Sequence, residues 1–468
     1  MTAASWAAVS LILAALSGHA DEANIQWPAA DALLGAPETL RIDGLLPGQR
    51  IMLTAREKRQ GSDWLAYADY VADSRGVVDT ARDPASGGTW DGVDPTGWLW
   101  SMYPVANAGA ALLTQARQHK PDDQTLIARP GTAPREITLA LLDAGELFAK
   151  RTIVRRRAEP DNTIEVDASL DDQLRGRVFL PKPANVKRVG VVVLGGSFGG
   201  LLEREPRWLA GRGFPSMALG YFKYRDLPAS GSHLPLEYFD RALRWFRDHQ
   251  QVEVVVLMGR SRGAEAALLV AAHFPGAADA VIAQVPSHVV NNGEGTSWGD
   301  WLTDTDSMWT LEGTQIAHVP YPPSQTELAV ARRRRSAERL PGYSTAPEYG
   351  QIWREADVKY SIPVERINVP VLIQAGRLDG IWPSVWAAHE LEARCAPAVC
   401  DQWRTDIFDL AGHAWGLPGE ITTTRASVFV KQRFTGFVSL GGTPAGNARA
   451  ARVGWRSIED FLDQLASP

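Results

Sequence analysis

The fold is decided by one stretch of the sequence, Val254-Val255-Val256-Leu257-Met258-Gly259-Arg260-Ser261-Arg262-Gly263-Ala264-Glu265-Ala266-Ala267. The stretch begins as a buried apolar strand, continues with a G-x-S-x-G motif and ends as the alanine-rich start of a helix. A sharp turn in this setting exposes the central serine, and small residues at positions 259 and 263 let neighbouring backbone approach. This order predicts a nucleophile elbow with Ser261 as the catalytic nucleophile. The alternative is a glycine-rich turn that carries an inert serine.

Apolar strand candidates alternate with helical stretches on both sides of this elbow. The strand candidates are 190–194, 216–220, 252–258, 280–284 and 369–375, and the clearest helices are 235–248 and 263–273. Continuous apolar strands separated by helices are typical of a mostly parallel sheet covered on both faces. We therefore expect an α/β domain over residues 167–468. Its long Trp-, Gly- and Pro-rich segment 289–360 is expected to be a cap or insertion.

Before residue 167, the pattern of apolar, polar and turn-forming residues is different. From about residue 37 to 165, short alternating segments are bounded by Gly, Pro and Asp turns. Strands that recur about every 8–12 residues predict a β-sandwich. We expect an all-β sandwich domain over residues 21–166, with 137–142 and 149–155 as its closing strands.

A serine hydroxyl needs a base and an orienting acid, which follow the nucleophile in the order Ser, Asp or Glu, His in this arrangement. Asp379 comes directly after the strand candidate 369–375, and His413 stands on a Gly-preceded turn after a later strand. The sequence therefore predicts a Ser261–Asp379–His413 triad. Asp406 and Asp409 compete with Asp379 for the role of the acid.

The other histidines considered are weaker candidates for the site. His273 lies in a helix tail and His389 on a helix after Asp379, so both are expected to be structural. His288 follows the strand after the elbow and is a second candidate for a role in the pocket.

An oxyanion hole needs two backbone N–H groups that point at the developing negative oxygen. We expect one from Arg262, directly after the nucleophile, and the other from Ser197 in the glycine-rich loop 194–200. Gly196 and Phe198 of that loop are expected to contact substrate. The alternative is a phosphate-binding loop, but the segment lacks the G-x-G-x-x-G spacing and the P-loop Lys-Ser/Thr. The sequence thus predicts no nucleotide cofactor, and no His, Asp or Glu spacing predicts a metal.

Composition excludes several classes of protein. The 468 residues carry 48 basic and 54 acidic side chains, which gives a formal net charge of −6. This balance lacks the excess of basic residues that is typical of nucleic-acid-binding proteins. Two cysteines exclude a disulfide scaffold and a Cys-rich zinc module. No segment beyond the first residues approaches the roughly 20 apolar residues of a spanning helix. A small-molecule substrate is the expected partner, and the oligomeric state is left open.

The start of the chain predicts export. Residues 6–16 form an uncharged apolar run, followed by the small residues Gly18 and Ala20, which favours a signal peptide over residues 1–20 and a periplasmic or secreted protein. The alternative is a buried N-terminal helix in a cytoplasmic protein. Cys395 and Cys400 could form a disulfide in an oxidising compartment or remain as two thiols.

Segments in both parts of the chain resemble the acyl-CoA thioesterase / bile acid-CoA:amino acid N-acyltransferase family. They are 44–49 (GLLPGQ), 72–79 (ADSRGVVD), 82–89 (RDPASGGT), 97–102 (GWLWSM), 199–203 (GGLLE), 218–222 (ALGYF), 226–228 (DLP), 235–239 (PLEYF), 362–367 (IPVERI) and the pair Gly412-His413. The resemblance implies a β-sandwich followed by an α/β-hydrolase domain that acts on acyl thioesters through an acyl-enzyme. It also supports Ser261, Asp379 and His413 at the family's triad positions.

The family uses Cys or Ser as nucleophile, and serine favours hydrolysis, because a serine ester is a weaker acyl donor to an amine than a cysteine thioester.

The chain departs from the family at Arg260, where an apolar residue is usual, whereas Arg262 keeps the usual positive charge. Residues 291–360 match poorly and are expected to shape the acyl pocket, and the run 332–335 (RRRR) either contacts CoA phosphates or is a solvated helix face.

If the chain is exported, CoA esters are not its natural substrate. The alternative in that case is an exported carboxylesterase or peptidase-like hydrolase with the same triad. Two further alternatives do not depend on export: an acyl-CoA:amino acid N-acyltransferase and a non-catalytic binding module.

Overall fold

The computed structural model describes residues 23–27, 39–59, 61–105, 134–156, 161–167, 171, 173–295, 305–321, 342–423, 427–430 and 436–466. This part of the chain forms two units. The first contains the described residues up to 156, and the second contains those from 161 onwards. The expected signal peptide over residues 1–20 lies outside the described residues.

The first unit is an all-β domain with one short helix. Its elements are β1 (Asn24–Gln26), β2 (Arg41–Asp43), β3 (Arg50–Arg59), β4 (Ser62–Val71), β5 (Val78–Asp79), α1 (Gly97–Trp100), β6 (Tyr103–Pro104), β7 (Arg135–Asp143) and β8 (Glu146–Arg155). Strands β1, β2 and β5 form one antiparallel sheet, and a second antiparallel sheet has the order β6-β4-β3-β7-β8. The expectation of a sheet-rich first domain is confirmed, and the expected strands 137–142 and 149–155 correspond to β7 and β8.

Buried and more exposed residues alternate along β3 and β4, which explains why this part of the chain forms sheets. In β3, Ile51, Leu53 and Ala55 are buried, whereas the residues between them are less so. Successive side chains of a strand point to opposite faces, so this period of two places one apolar face on the core. Strand β4 repeats the pattern.

The second unit alternates strands and helices. Its elements are β9 (Asn162–Val166), β10 (Arg175–Leu180), β11 (Val189–Leu194), α2 (Arg204–Ala210), β12 (Ser216–Gly220), β13 (Leu234–Pro235), α3 (Leu236–Gln250), β14 (Val254–Arg260), α4 (Arg262–His273), β15 (Ala280–Gln284), β16 (Trp309–Leu311), β17 (Thr314–Gln315), α5 (Ala346–Glu355), β18 (Val371–Gly376), α6 (Ser384–Glu392), β19 (Trp403–Phe408), β20 (Ser427–Val430), β21 (Gly436–Ser439) and α7 (Pro444–Ala466).

A single sheet of eight strands organises this unit, in the order β19-β18-β15-β14-β11-β12-β10-β9. The strands from β19 to β12 are parallel. In β14, Val255 and Leu257 pack on one face with residues of α3 and α4, whereas Val256 and Met258 pack on the other with residues of α2 and α7. Helices therefore cover both faces, as predicted for an α/β-hydrolase domain.

The edge of this sheet lies near the expected division of the chain. Strand β9 pairs antiparallel with β10, and β10 pairs antiparallel with β12. The expected boundary between residues 166 and 167 thus falls after a strand of the large sheet, and the first unit ends at Arg156. Polar residues alternate with apolar ones in β9, an edge strand, so it resembles the strands of the preceding domain.

The expected cap segment 289–360 is described in part. Its residues 296–304 and 322–341, including the arginine run 332–335, lie outside the described residues. Strands β16 and β17 pair beside β13, and α5 contributes Tyr349 and Trp353 to a cluster with Trp382 and Trp386. We call these four residues the aromatic cluster.

The described residues also answer two questions raised by the sequence, namely the state of the two cysteines and the presence of a spanning helix. Cys395 and Cys400 are joined by a disulfide, with 5.5 Å between their Cα atoms. Among the described helices, none combines the length and the apolar character needed to cross a bilayer.

Candidate active site

Ser261 occupies a strained turn between β14 and α4. Its φ of 58° and ψ of −119° lie in a region that L side chains rarely adopt, and such strain is common at functional sites. A Cβ atom at position 259 would lie 2.0 Å from the carbonyl oxygen of Gly263, and one at position 263 would lie 2.4 Å from that of Gly195. Both glycines of the motif are therefore required by the close approach of backbone.

The structure brings Ser261, Asp379 and His413 together. His413 Nε2 lies 3.0 Å from Ser261 Oγ, and His413 Nδ1 lies 2.8 Å from Asp379 Oδ2 and 3.0 Å from Oδ1. The three residues are only 7%, 8% and 8% exposed. This is the geometry in which an imidazole can accept the serine proton while a carboxylate fixes its tautomer.

Backbone contacts hold the acid and the base in place. Asp379 Oδ1 accepts hydrogen bonds from the amides of Ile381 at 2.8 Å and Trp382 at 3.2 Å. The His413 amide donates to the Leu440 carbonyl at 2.7 Å. The backbone of Gly441 forms an isolated antiparallel β-bridge with that of Asp379. A Cβ at position 441 would lie 1.8 Å from the Leu378 carbonyl oxygen, so the close approach requires glycine there.

The competing acids lie in other contacts. Asp406, on β19, accepts hydrogen bonds from Gln374 at 3.2 Å and from Ser457. Asp409 is 75% exposed and pairs with Arg377 at 2.9 Å. Asp379 is thus the carboxylate that contacts the His413 ring.

His288 lies among aromatic side chains rather than in the triad. Its ring centroid is 5.1 Å from that of Trp353 and 5.0 Å from that of Trp386, and burial lowers the pKa of His288 to about 4. The ring is therefore neutral at ordinary pH. His273 ends α4 and His389 lies on α6, so both are on helices as the sequence predicts.

The glycine-rich loop lies against the nucleophile. A Cβ at Gly196 would lie 3.3 Å from Ser261 Cβ. Phe198 packs against the apolar cluster to which Trp353 and Trp382 belong. Arg262 opens α4, where the first amides have no acceptor within the helix. The loop and the helix start thus both border Ser261.

Sequence comparison finds one protein family over most of the chain. Residues 36–167 match the family described as "Acyl-CoA thioester hydrolase/BAAT N-terminal region", and residues 234–467 match "BAAT / Acyl-CoA thioester hydrolase C terminal". The chain belongs to this acyl-CoA thioester hydrolase family. It carries both of the family's regions, in the expected order.

Relatives in the family match over almost their whole length. Acyl-coenzyme A thioesterase 5 of Mus musculus is 29% identical over 452 residues, which is 94% of this chain and 96% of the mouse protein. Acyl-coenzyme A thioesterase 6 of Mus musculus is 34% identical over 449 residues, 93% of this chain and 95% of that protein. Acyl-coenzyme A thioesterase 1 of Homo sapiens is 29% identical over 443 residues, 93% and 94% of the two chains.

In this family member, the arginine after the nucleophile is completely buried. Arg262 Nε donates to Glu294 Oε1 at 3.0 Å, and Nη1 donates to Glu265 Oε2 at 3.3 Å. Glu265 accepts further hydrogen bonds from Ser287, Asn291 and Trp309. Burial alone would lower the pKa of Arg262, but the two carboxylates raise it above its ordinary value. The guanidinium is thus a fixed positive charge beside Ser261.

The arginine before the nucleophile belongs to a different buried network. Arg260 donates to Gln284 at 2.9 Å and pairs with Glu205 at 3.4 Å. Glu205 also pairs with Arg204 at 2.6 Å, and Arg204 pairs with Glu420 at 3.2 Å. Burial lowers the pKa of Arg260, and Glu205 only partly offsets this.

The buried carboxylates of both networks cannot be found by sequence reasoning, because burial of a charged side chain depends on tertiary packing. The one local signal is Glu265, which follows Arg262 at the i,i+3 spacing of helical ion pairs. Among the described residues, no group of three or more His, Cys, Asp or Glu side chains could hold a metal ion.

Proposed function

We propose that this chain hydrolyses acyl-CoA thioesters through an acyl-enzyme on Ser261. The observation that carries the proposal is the His413 imidazole, whose two nitrogens lie within hydrogen-bond distance of Ser261 and Asp379. Family membership and relatives named acyl-coenzyme A thioesterases support the thioester as the substrate.

In the acylation step, Ser261 Oγ attacks the thioester carbonyl carbon while His413 Nε2 takes the hydroxyl proton. Asp379 keeps the Nδ1–H of the ring oriented and stabilises the imidazolium. The tetrahedral intermediate collapses with cleavage of the C–S bond, and His413 returns the proton to the leaving thiolate.

The negative oxygen of the intermediate needs donors already in place. The amides of Arg262 and Ser197 are the proposed pair, since Arg262 opens α4 directly after Ser261 and Ser197 adjoins Gly196, which lies against the nucleophile. Gly196 has no side chain to fill this space. Phe198 is proposed to face the acyl group.

Deacylation repeats the same steps with water. His413 takes a proton from the water, the hydroxide attacks the acyl-enzyme carbonyl, and the proton passes to Ser261 as the ester bond breaks. Hydrolysis is favoured over transfer to an amine, because a serine ester is a weaker acyl donor than a cysteine thioester.

The test is a hydrolysis panel on the purified chain, with acyl-CoAs of graded chain length beside simple carboxylic esters. Ser261→Ala is expected to lower kcat by about 10⁶ without loss of folding, and Asp379→Asn by about 10⁴. Asp409→Asn is the matched control, because that exposed carboxylate contacts Arg377 and not His413. Full activity of Ser261→Ala would refute the mechanism.

The disulfide between Cys395 and Cys400 favours a second candidate, a carboxylesterase of an oxidising compartment, since such bonds are rare where thiols are kept reduced. The expected signal peptide would deliver the chain there. In the same panel, this candidate hydrolyses simple esters with the triad and does not prefer CoA esters.

A further inference from the structure

The indole of Trp382 packs against the imidazole of the triad. The centroid of the Trp382 ring lies 5.3 Å from that of His413, with an angle of 84° between the two ring planes. Trp382 follows Asp379 by three positions, and its amide donates a hydrogen bond to Asp379 Oδ1 at 3.2 Å. Trp382 therefore contacts the base with its ring and the acid with its backbone.

Buried contacts fix the orientation of this indole. Trp382 is 1% exposed, and its Nε1–H donates to the Val285 carbonyl oxygen at 3.0 Å. Val285 directly follows β15, and the last residue of that strand, Gln284, accepts a hydrogen bond from the Ser261 amide at 2.9 Å. The indole is thus anchored at the strand end that also holds the nucleophile.

The residue that receives the indole has a strained backbone. Val285 has a φ of 43°, in the left-handed region, which a β-branched residue rarely adopts. It is completely buried, and its amide donates to the Gln374 carbonyl at 2.7 Å. Strain of this kind persists only where the surrounding structure holds it, and it is common at functional sites. The strained residue is therefore part of the support of the indole.

We propose that Trp382 is a positioning residue that holds the His413 ring for deacylation. In the free enzyme, the ring lies between Ser261 Oγ and the Asp379 carboxylate. Once Ser261 is acylated, its oxygen has no proton to donate to the ring, whereas the contacts with Asp379 and the indole remain. The proposal rests on the proposed function, because it presupposes an acyl-enzyme on Ser261.

The contact with the indole restricts the imidazole in a way that one hydrogen bond does not. A single hydrogen bond tolerates deviations of about 30° from linearity, whereas a ring packed perpendicular to the imidazole limits its rotation. In deacylation, His413 Nε2 must take a proton from the attacking water, and a misplacement of about 1 Å can cost about 100-fold in rate. Loss of the indole should therefore slow deacylation more than acylation, in which the Ser261 hydroxyl still holds the ring.

The experiment separates the two steps in the full-length enzyme with the p-nitrophenyl ester of the acyl group that the hydrolysis panel shows to react fastest. The activated leaving group makes acylation fast, so kcat reports deacylation, whereas kcat/KM reports the steps up to acylation. Trp382→Leu is expected to lower kcat about 10- to 100-fold, to lower KM with it and to change kcat/KM less than about 3-fold. The acyl-enzyme is expected to accumulate in intact-mass spectra of quenched samples.

Trp382→Phe tests whether an aromatic ring restores the rate. It keeps a ring beside His413 and loses the hydrogen bond to the Val285 carbonyl, so kcat is expected to fall only about 3- to 10-fold. If Trp382→Leu does not fold, Trp382→Phe decides by the same measurements. An unchanged kcat and an unchanged level of acyl-enzyme in Trp382→Phe would then overturn the proposal.

Trp455→Leu is the matched control for the loss of a buried indole. Trp455 is also 1% exposed, donates its Nε1–H to the Gly416 carbonyl at 2.9 Å and packs against Trp208. This variant is expected to be less stable in urea unfolding and to leave the level of acyl-enzyme unchanged. Accumulation of acyl-enzyme in Trp455→Leu as well would overturn the specific role of Trp382.

Equal losses in kcat and kcat/KM for Trp382→Leu, or no accumulation of its acyl-enzyme, would also overturn the positioning role. Either result leaves the proposed function intact if Ser261→Ala is inactive and forms no acyl-enzyme. Full activity of Ser261→Ala overturns the proposed function itself, so the two failures are distinguishable.

Discussion

Two arginines flank the nucleophile, and their surroundings differ in charge. The Arg260 network contains two arginines and two glutamates, Arg204, Arg260, Glu205 and Glu420, and is balanced. In the other network, Arg262 forms the ion pairs with both Glu265 and Glu294.

The pKa values of the buried glutamates are shifted in opposite directions in the two networks. Burial raises the pKa of Glu294, and Arg262, Ser197 and Lys223 offset only part of this. Burial would also raise the pKa of Glu205, but Arg204 and Arg260 outweigh it and the pKa lies below the ordinary value. The Arg260 network connects the elbow to α2, whereas the Arg262 network connects it to the segment after β15.

The largest effect is expected from Arg262→Met. The substitution removes the arginine that pairs with both Glu265 and Glu294 in a buried site, which costs about 3–5 kcal/mol of stability. It also disturbs packing at the residue directly after Ser261, so kcat should fall about 100-fold. Urea unfolding and acyl-CoA hydrolysis measure the two losses. Arg262→Lys keeps the charge and should recover much of both, and a Met variant as stable as the wild type would contradict the comparison.

A smaller effect is expected from Arg260→Met. Glu205 keeps Arg204 as a partner, so we expect a loss of about 1–3 kcal/mol and a fall in kcat of less than about 10-fold. The same two measurements apply. If Arg260→Met lowers kcat as much as Arg262→Met does, the functional difference between the networks does not hold.

The pH dependence of stability should have opposite signs in the Arg260 and Arg262 networks. Glu205 contributes stability that is fully present above its ordinary pKa of 4.5 and is lost as the pH falls below it. Glu294, with a raised pKa, contributes stability that is present below 4.5 and is lost as the pH rises. From about pH 4 to about pH 7, the cost of Glu205→Gln should therefore grow and that of Glu294→Gln should shrink. Denaturant titrations at several pH values check this, and parallel slopes would refute it.

The smallest effect is expected from Ser287→Ala. The single hydrogen of the Ser287 hydroxyl is shared between the Val289 carbonyl at 2.7 Å and Glu265 at 3.2 Å, and Glu265 has several other donors. Because the other donors to Glu265 remain, the loss should be about 0.5–1.5 kcal/mol by urea unfolding, with kcat unchanged. A loss as large as that from Arg262→Met would show that Glu265 depends on this serine.

The triad geometry could be predicted because local rules determine it. The strand–G-x-S-x-G–helix order places Ser261 at the end of β14, and strand-end positions bring Asp379 and His413 to the same edge of the sheet. The two networks could not be predicted, because nothing in the spacing of Glu205 or Glu294 marks a buried carboxylate. Their burial arises when α2 and the segment after β15 pack against the elbow.

The domain boundary illustrates the same limit. Strand β9 has the alternation of a half-buried strand, and its place at the edge of the large sheet depends on a pairing with β10 that only tertiary structure creates. The apolar parallel strands, by contrast, follow directly from their composition, since strands buried on both faces have near-continuous apolar runs.

The glycines around the triad also bear on how this enzyme can change. A methyl group at position 259, 263 or 441 would fall within 2.4 Å of a backbone oxygen, so these positions accept almost no other residue. Mutational libraries aimed at the catalytic centre should therefore return few active clones there. Substitutions are better introduced at Phe198 and in the aromatic cluster apart from Trp382. The contacts there are between side chains, so a change in one side chain can be accommodated by its neighbours. The catalytic centre is the part of this enzyme least open to adaptation, and new acyl preferences must arise at its periphery.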